Sequence, residues 1–356
     1  MKNISLNFES LNSPDGGISR VANLVFKFFK ERAKKNNDKI FLNIFRDDNI
    51  QNFTNINFVR KKFNNRSKLS FSINNFINSN KSDYIVYDHL GLARSNLFLI
   101  KKKPYIVFLY GIDIWDKTNK KRLEAQKKSS LSIAISNFTR KKANDSHGKL
   151  ENVKVCWLST IYNKVTFVKK KKKKFNFLFL SRLEKGKGHS ETLDAFYKIK
   201  KKNVNLLIVG KGPENQNIKR KIKKLNLEKK VKLLGFVAEK KLNNIWSKTD
   251  VLIMPSRVEG FGLVYIEAMS RGIPIITSKQ DAGKEVNLHG KTGFSVDLDS
   301  KKKDELFFYL NKISNNKPLV NKMGKNAKRR WLDNFTYKKF EKRFEILIKK
   351  FEKEFI

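Results

Sequence analysis

Two glutamates, Glu259 and Glu267, stand eight residues apart around a glycine pair in the stretch PSRVEGFGLVYIEAM from Pro255 to Met269. Carboxylates that share one proton-transfer task must lie close together, and a retaining glycosidase holds its pair about 5 Å apart. Eight residues of turn and helix span about 12 Å, which disfavours a paired acid/base mechanism. The glycines point elsewhere. Gly260 and Gly262 fall between the apolar run Asp250–Met254 and a helix-like run ending at Arg271, the pattern of a strand-to-helix turn. Lacking Cβ atoms, they let the backbone N–H groups of Phe261, Gly262 and Leu263 approach an anion at the positive end of the helix. That arrangement holds a phosphate and leaves a glutamate on each side to accept from sugar hydroxyls.

Two other loops carry related chemistry. Ser181-Arg-Leu-Glu-Lys-Gly-Lys-Gly188 follows the apolar run Phe175–Leu180, so Arg182 and Lys187 sit where two cations can neutralise a diphosphate whose charge grows as it leaves. In a chain with 78 Lys+Arg, a basic loop alone says little. Val209-Gly-Lys-Gly-Pro-Glu214 places Gly210 and Gly212 after another apolar run, with Pro213 at a helix start.

The elements that must position these loops recur at a regular interval. Apolar runs at 175–180, 204–209, 231–236, 250–254, 273–277 and 293–296 alternate with helical patterns at 190–202, 215–227 and 239–248. Strand, helix, strand, helix implies a parallel sheet covered on both faces, which binds ligands at the carboxyl ends of its strands. The first half repeats the scheme less cleanly, with candidate strands at 40–45, 84–87, 105–110, 131–135 and 153–158. The expected fold is therefore α/β, with two Rossmann-like parallel-sheet domains. Six consecutive lysines, 169–174, repel one another and mark a solvated linker between a domain at 1–168 and one at 175–335. Beyond it, Tyr337, Phe340, Phe344, Leu347, Phe351 and Phe355 repeat mostly at three and four, an amphipathic helix at 336–356 whose stripe is best accounted for by packing back on the N-terminal domain.

Composition narrows the classes. With 356 residues, 40% of them apolar, the chain can bury two cores. A single cysteine, Cys156, excludes an intramolecular disulfide and a cysteine-based metal cluster, and it fits a reducing compartment. The N-terminal MKNISLNFES lacks a charged-then-apolar signal pattern, and the longest apolar run, Tyr105–Tyr110, is far short of the roughly 20 residues of a membrane span. A cytoplasmic protein, soluble or peripheral at the inner face of the plasma membrane, is expected. The net charge of +45 is spread evenly, with 31 Lys+Arg against 13 Asp+Glu in residues 1–168 alone. Nucleic-acid readers concentrate charge on one face and interleave aromatics, so no specific nucleic-acid partner is expected. Asn, Ile and Phe are also abundant, as an AT-rich coding sequence would produce. Attraction to an anionic membrane surface is the functional reading of the same charge.

Taken together, the loops resemble the retaining GT-B glycosyltransferases, specifically glycosyltransferase family 4. The resemblance rests on Glu259, seven residues and Glu267 within PSRVEGFGLVYIEAMSRGIPII, on SRLEKGKGHSETLDAF from Ser181, on VGKGPE from Val209 and on GKTGFSVD from Gly290. It covers residues 175–335 and implies two domains facing a cleft. It implies that Arg182 and Lys187 hold the donor diphosphate with the amides of Phe261, Gly262 and Leu263. Glu267 would bind the nucleotide ribose, Glu259 the donor-sugar hydroxyls, and the backbone at Phe236 and Val237 the base. No metal or cofactor is implied, because the cations and the helix end supply the positive charge. The donor is a nucleotide diphosphate sugar, and the acceptor a glycan or a lipid-linked molecule of cell-envelope polysaccharide or lipopolysaccharide synthesis.

The first half matches more thinly. Asp15-Gly-Gly-Ile-Ser-Arg20 resembles the family's early glycine-rich loop, which assigns Gly17 to the diphosphate, and AISNFTRKK from Ala134 also fits. Many relatives carry histidine where FLYGIDIW has Tyr110, and tyrosine is a poor positive partner. His89, in YDHLGLAR after the strand at 84–87, is the alternative catalytic candidate. WLSTIYN from Trp157 departs from the proline- and glycine-containing loop of the family. Two other functions stay open on these residues: a nucleotide-sugar epimerase of the same architecture, and a degenerate transferase that binds polyanions.

Overall fold

The computed structural model describes residues 1–12, 16–47, 59–115, 119–170, 173–299 and 304–356. The chain divides into two compact units, Met1–Ile161 joined by Tyr337–Ile356, and Tyr162–Thr336. The division falls at Ile161, ahead of the lysine run. Lys169 and Lys170 belong to the second unit: Lys169 pairs with Asp250 at 3.2 Å, and the Lys170 amide donates to the Ser247 carbonyl. Lys171 and Lys172 lie outside the described residues.

The first unit carries seven strands, β1 (Asn3–Phe8), β2 (Lys39–Ile44), β3 (Val59–Phe63), β4 (Tyr84–Tyr87), β5 (Tyr105–Leu109), β6 (Leu131–Ala134) and β7 (Val153–Val155). They form one parallel sheet in the order β3-β2-β1-β4-β5-β6-β7. Its helices are α1 (Gly17–Asn36), α2 (Lys68–Asn80), α3 (Leu90–Ala93), α4 (Lys120–Lys127) and α5 (Asn137–His147). β1 and β3 are absent from the sequence expectation. β1 is central yet alternates apolar and polar residues, because Ser5 and Asn7 are buried and satisfied sideways. Asn7 Nδ2 donates to Ser5 Oγ, Asn43 Nδ2 to Asn7 Oδ1 at 2.8 Å, and Asn64 Nδ2 to Asn43 Oδ1 at 2.7 Å.

The second unit carries β8 (Phe175–Leu180), β9 (Val204–Val209), β10 (Val231–Leu233), β11 (Val251–Ile253), β12 (Ile275–Ser278) and β13 (Gly293–Val296), all parallel, in the order β10-β9-β8-β11-β12-β13. Its helices are α6 (His189–Tyr197), α7 (Asn215–Lys224), α8 (Glu239–Ser247), α9 (Leu263–Ser270), α10 (Gly283–Val286), α11 (Glu305–Ser314) and α12 (Lys317–Asn334). Strand order reverses beside β1 in one sheet and beside β8 in the other. Such switch points open a crevice at the carboxyl ends of the strands.

The last helix, α13 (Tyr337–Phe355), lies in the first unit. Phe344 is fully buried, its ring 4.5 Å from that of Phe28 and 5.8 Å from those of Phe29 and Phe108. Arg32 of α1 bridges Glu345 at 3.2 Å and Glu352 at 2.7 Å. The buried stripe is Tyr337, Phe340, Phe344, Ile348 and Phe351. Ile348 takes the place expected for Leu347, which is half-buried, and Phe355 is 39% exposed.

Candidate active site

In the second unit, the loops after β8, β9, β10 and β11 are laced together by backbone hydrogen bonds. The Leu183 amide donates to the Lys211 carbonyl at 3.0 Å, Glu214 to Leu183 at 2.9 Å, Gly210 to Gly235 at 2.8 Å and Arg257 to Gly186 at 2.7 Å. The basic loop, the VGKGPE loop and the glycine pair are therefore one contiguous edge at the switch point beside β8. Gly188 must be glycine: at φ +87°, a Cβ would lie 2.2 Å from the Pro255 carbonyl oxygen. Gly262, N-cap of α9 at φ +87°, is as constrained, since a Cβ would meet the Tyr265 ring at 2.2 Å. Tyr265 in turn anchors α9 by donating its hydroxyl to the Met254 carbonyl at the end of β11, at 2.8 Å.

Lys187 and Glu259 meet across this edge, Nζ to Oε1 at 2.5 Å, with side chains only 13% and 18% exposed. Arg182 makes a separate and exposed pair with Glu184 at 2.9 Å. The Phe261 ring is buried edge-on against Phe335, centroids 5.9 Å apart, so only its amide faces the turn's chemistry. Leu263 opens α9, whose first N–H groups have no intrahelical acceptor. Glu267 is half-buried on the second turn of α9. After β10, Phe236 is 51% exposed with the Lys211 ammonium 4.8 Å from its ring centre, and Val237 beside it is half-buried.

Asp281 belongs to the same group and is missing from the sequence expectation. It is fully buried after β12, where Oδ2 accepts from the Glu259 amide at 3.2 Å and Oδ1 from the Gly283 amide at 2.8 Å. The Glu259 carbonyl accepts from the Ala282 amide at 3.1 Å. Burial, followed by the charge of Glu259, pushes the Asp281 carboxyl up to about 8. An Asp-Ala-Gly turn shortly beyond the apolar run at 273–277 was the available signal.

The first unit has its own constellation beside β1 and β4. Gly17 opens α1, and a Cβ there or at Gly16 would meet nothing within 4 Å. Asp15, part of the expected loop, lies outside the described residues. Asp88 Oδ2 accepts from the Glu9 amide at 2.7 Å, while Asp88 Oδ1 stands 2.7 Å from His89 Nδ1. His89 Nε2 lies 3.8 Å from Glu9 Oε2. Burial draws the imidazole pKa down, but the carboxylates of Asp88, Glu9 and Asp113 outweigh it and hold it above the ordinary value.

Tyr110 follows β5, its hydroxyl buried with no hydrogen-bond partner among the described residues. Burial and the neighbouring Asp88, Asp113 and Glu9 keep that hydroxyl protonated well above its ordinary range. Asp113 Oδ1 accepts from the amides of Tyr110 and Gly111 at 2.9 and 2.8 Å. His89 and Tyr110 thus share one carboxylate environment, which favours the protonated imidazole and the neutral hydroxyl.

The other histidines have partners within the fold. His147 Nε2 lies 2.8 Å from the Ile114 carbonyl oxygen, and His289 contacts Ser295 and Tyr309. His189 stacks on Phe179 with centroids 4.3 Å apart, and burial, then Lys187, pushes its pKa down to about 4. In AISNFTRKK, Ser136 Oγ caps α5 by accepting from the Thr139 amide. WLSTIYN spans the division between the units: the Trp157 carbonyl accepts from Arg343, and the Tyr162 hydroxyl meets that of Ser270 at 3.2 Å.

Residues 163–330 match the family model described as "Glycosyl transferases group 1". A Klebsiella pneumoniae protein described as an "Uncharacterized 41.2 kDa protein in cps region" is 32% identical over 161 residues, 45% of this chain and 40% of that protein. N-acetyl-alpha-D-glucosaminyl L-malate synthase of Bacillus anthracis is 33% identical over 122 residues, 34% of this chain and 32% of the enzyme. The matched stretch thus spans two fifths or less of these curated relatives. Among solved structures, Anabaena Alr3699/HepE in complex with UDP and glucose is similar in fold, with a TM-score of 0.77, 19% identity and coverage of 98% of this chain and 100% of that one. The two parallel-sheet units are those of the GT-B fold, and residues 163–330 are similar to the group 1 glycosyl transferases.

Proposed function

We propose that the protein transfers a sugar from a nucleotide diphosphate sugar to a glycan or lipid-linked acceptor of envelope polysaccharide or lipopolysaccharide synthesis, with retention at the anomeric carbon. One observation carries the proposal: Lys187, Glu259 and the N-terminus of α9 occupy one edge at the switch point of the second sheet. The donor's diphosphate binds at the α9 amides of Phe261, Gly262 and Leu263 and takes Lys187 as its counter-ion. That exchange frees the Glu259 carboxylate to accept from donor-sugar hydroxyls. Arg182, on its exposed pair, swings to the same phosphates as charge grows in the departing group. Gly17 leaves open space for a phosphate to approach the first unit's helix start. Glu267 takes the ribose, and the base lies along the backbone of Phe236 and Val237. These cations and the helix end supply the positive charge, so no metal is assigned a role.

His89, oriented by Asp88 and Glu9, and Tyr110, whose hydroxyl has no partner among the described residues, supply polar contacts to the transferred sugar. With no acid/base pair assigned, the leaving phosphate oxygen accepts the acceptor's proton as the new bond forms on the same face. That HepE is crystallised with UDP and glucose supports a nucleotide-sugar donor.

The test is Lys187→Ala. Losing one charge-assisted contact to a departing diphosphate is expected to lower kcat/KM by about tenfold to a hundredfold, and to weaken nucleoside diphosphate binding by calorimetry. Unchanged kinetics and binding would remove the assignment.

A further inference from the structure

Helix α2 turns most of its large apolar residues away from the core. Phe71, Asn75, Asn78 and Ser79 are buried. On the opposite side Leu69, Ile73, Phe76 and Ile77 are 72%, 50%, 39% and 43% exposed. They stand at i, i+4, i+7 and i+8, which places them within one sector about 100° wide. Two more exposed apolar residues, Phe98 at 70% and Ile100 at 87%, lie at the end of a neighbouring 3₁₀ turn, Arg94–Phe98. That turn is tied to α2 by Asn75 Nδ2 donating to Ser95 Oγ at 3.0 Å. Single exposed apolar side chains are ordinary on a protein surface, but an aligned stripe marks an interaction site. A bias toward Ile and Phe codons would scatter these residues and would not align four of them on the one face that the core leaves open.

The surroundings select the partner. Arg66 and Lys68 at the start of α2, Lys81 at its C-cap, and Lys101 and Lys102 beyond the 3₁₀ turn are all exposed. Neither residues 49–82 nor residues 89–112 contain an Asp or Glu. A second copy would bring another chain of net charge +45 against this face, whereas an anionic surface is complementary to it.

We propose that the outer face of α2 docks on an anionic lipid bilayer. The apolar stripe enters the boundary between headgroups and acyl chains, and the basic rim meets the anionic headgroups. This does not rest on the sugar-transfer reading. Its readout is partition onto lipid, so loss of docking and loss of turnover are separately visible.

The experiment is co-sedimentation of the full chain with phosphatidylglycerol/phosphatidylcholine vesicles and with vesicles of phosphatidylcholine alone. The wild type is expected to prefer the anionic vesicles. L69S/I73S/F76S, which alters no charge and no buried residue, is expected to lower that binding by about tenfold or more, with an unchanged thermal melt. Phe308→Ser, removing an exposed ring on α11, is expected to leave binding as it was. Equal binding by the triple variant, or no preference for anionic vesicles, would overturn the proposal. So would a wild-type dimer that the triple variant converts to monomer, since a second copy would then be the occupant.

Discussion

Lys187 and Glu259 are a pair of opposite charges with two settings to satisfy. As an ion pair they offset each other's burial, and in the binding role proposed for them they part, one to phosphate and one to hydroxyl. Asp281 holds the Glu259 backbone amide, and its carboxyl is pushed up to about 8. A folded pKa above the unfolded value means that the protonated form stabilises the fold. That stabilisation is complete below about pH 4 and drains away as pH rises toward about 8. Relative to Asp281→Asn, the wild type is expected to lose about 1.4 kcal/mol of stability per pH unit inside that window, measured by urea unfolding between about pH 5 and about pH 7.5. Parallel slopes for the two proteins would show the carboxyl already ionised. Lys187, Glu259 and Gly262 were legible in the sequence because a loop at a strand's end carries its chemistry in adjacent residues. Asp281 was not, because its partner Glu259 is 22 residues away and only the neighbouring strands β11 and β12 bring the two together.

Among the elements, the second sheet was nearly transparent. Phe175–Leu180 and Val204–Val209 form strands with the expected bounds, because strands buried on both faces need continuous apolar runs. β1 defeats the same logic. Its buried Ser5 and Asn7 form side-chain bonds that no periodicity reveals, and β3, the edge strand of the sheet, reads Val-Arg-Lys-Lys-Phe with no apolar run to mark it. α13 was legible as an amphipathic stripe, but which of Leu347 and Ile348 faces inward depends on its fit to α1. Phe344→Ala removes a ring enclosed by Phe28, Phe29, Phe108 and Phe340. It is expected to destabilise the first unit by about 3–5 kcal/mol, read from denaturant unfolding; a loss well under 1 kcal/mol would mean that α13 contributes little to that core.

Across the whole molecule the charge of +45 works against compactness, since like charges repel over a Debye length of about 10 Å at 0.1 M salt. Thermal stability is therefore expected to rise as a monovalent salt is increased from about 0.02 M to about 0.3 M, the opposite of what a fold held mainly by surface ion pairs would show. A calorimetric scan series distinguishes the two. Among the described residues no helix is long and apolar enough to cross a membrane.

The first unit is built from two separated stretches of chain, 1–161 and 337–356, with 175 residues of the other unit between them. On a ribosome adding roughly 5–20 residues per second, the aromatic face of α1 waits roughly 15 to 65 seconds for its covering helix. The intervening unit, continuous in sequence, can finish meanwhile. Nascent chains therefore mature from the middle outward, and during that interval Phe28 and Phe29 offer a binding surface to any chaperone at the exit tunnel.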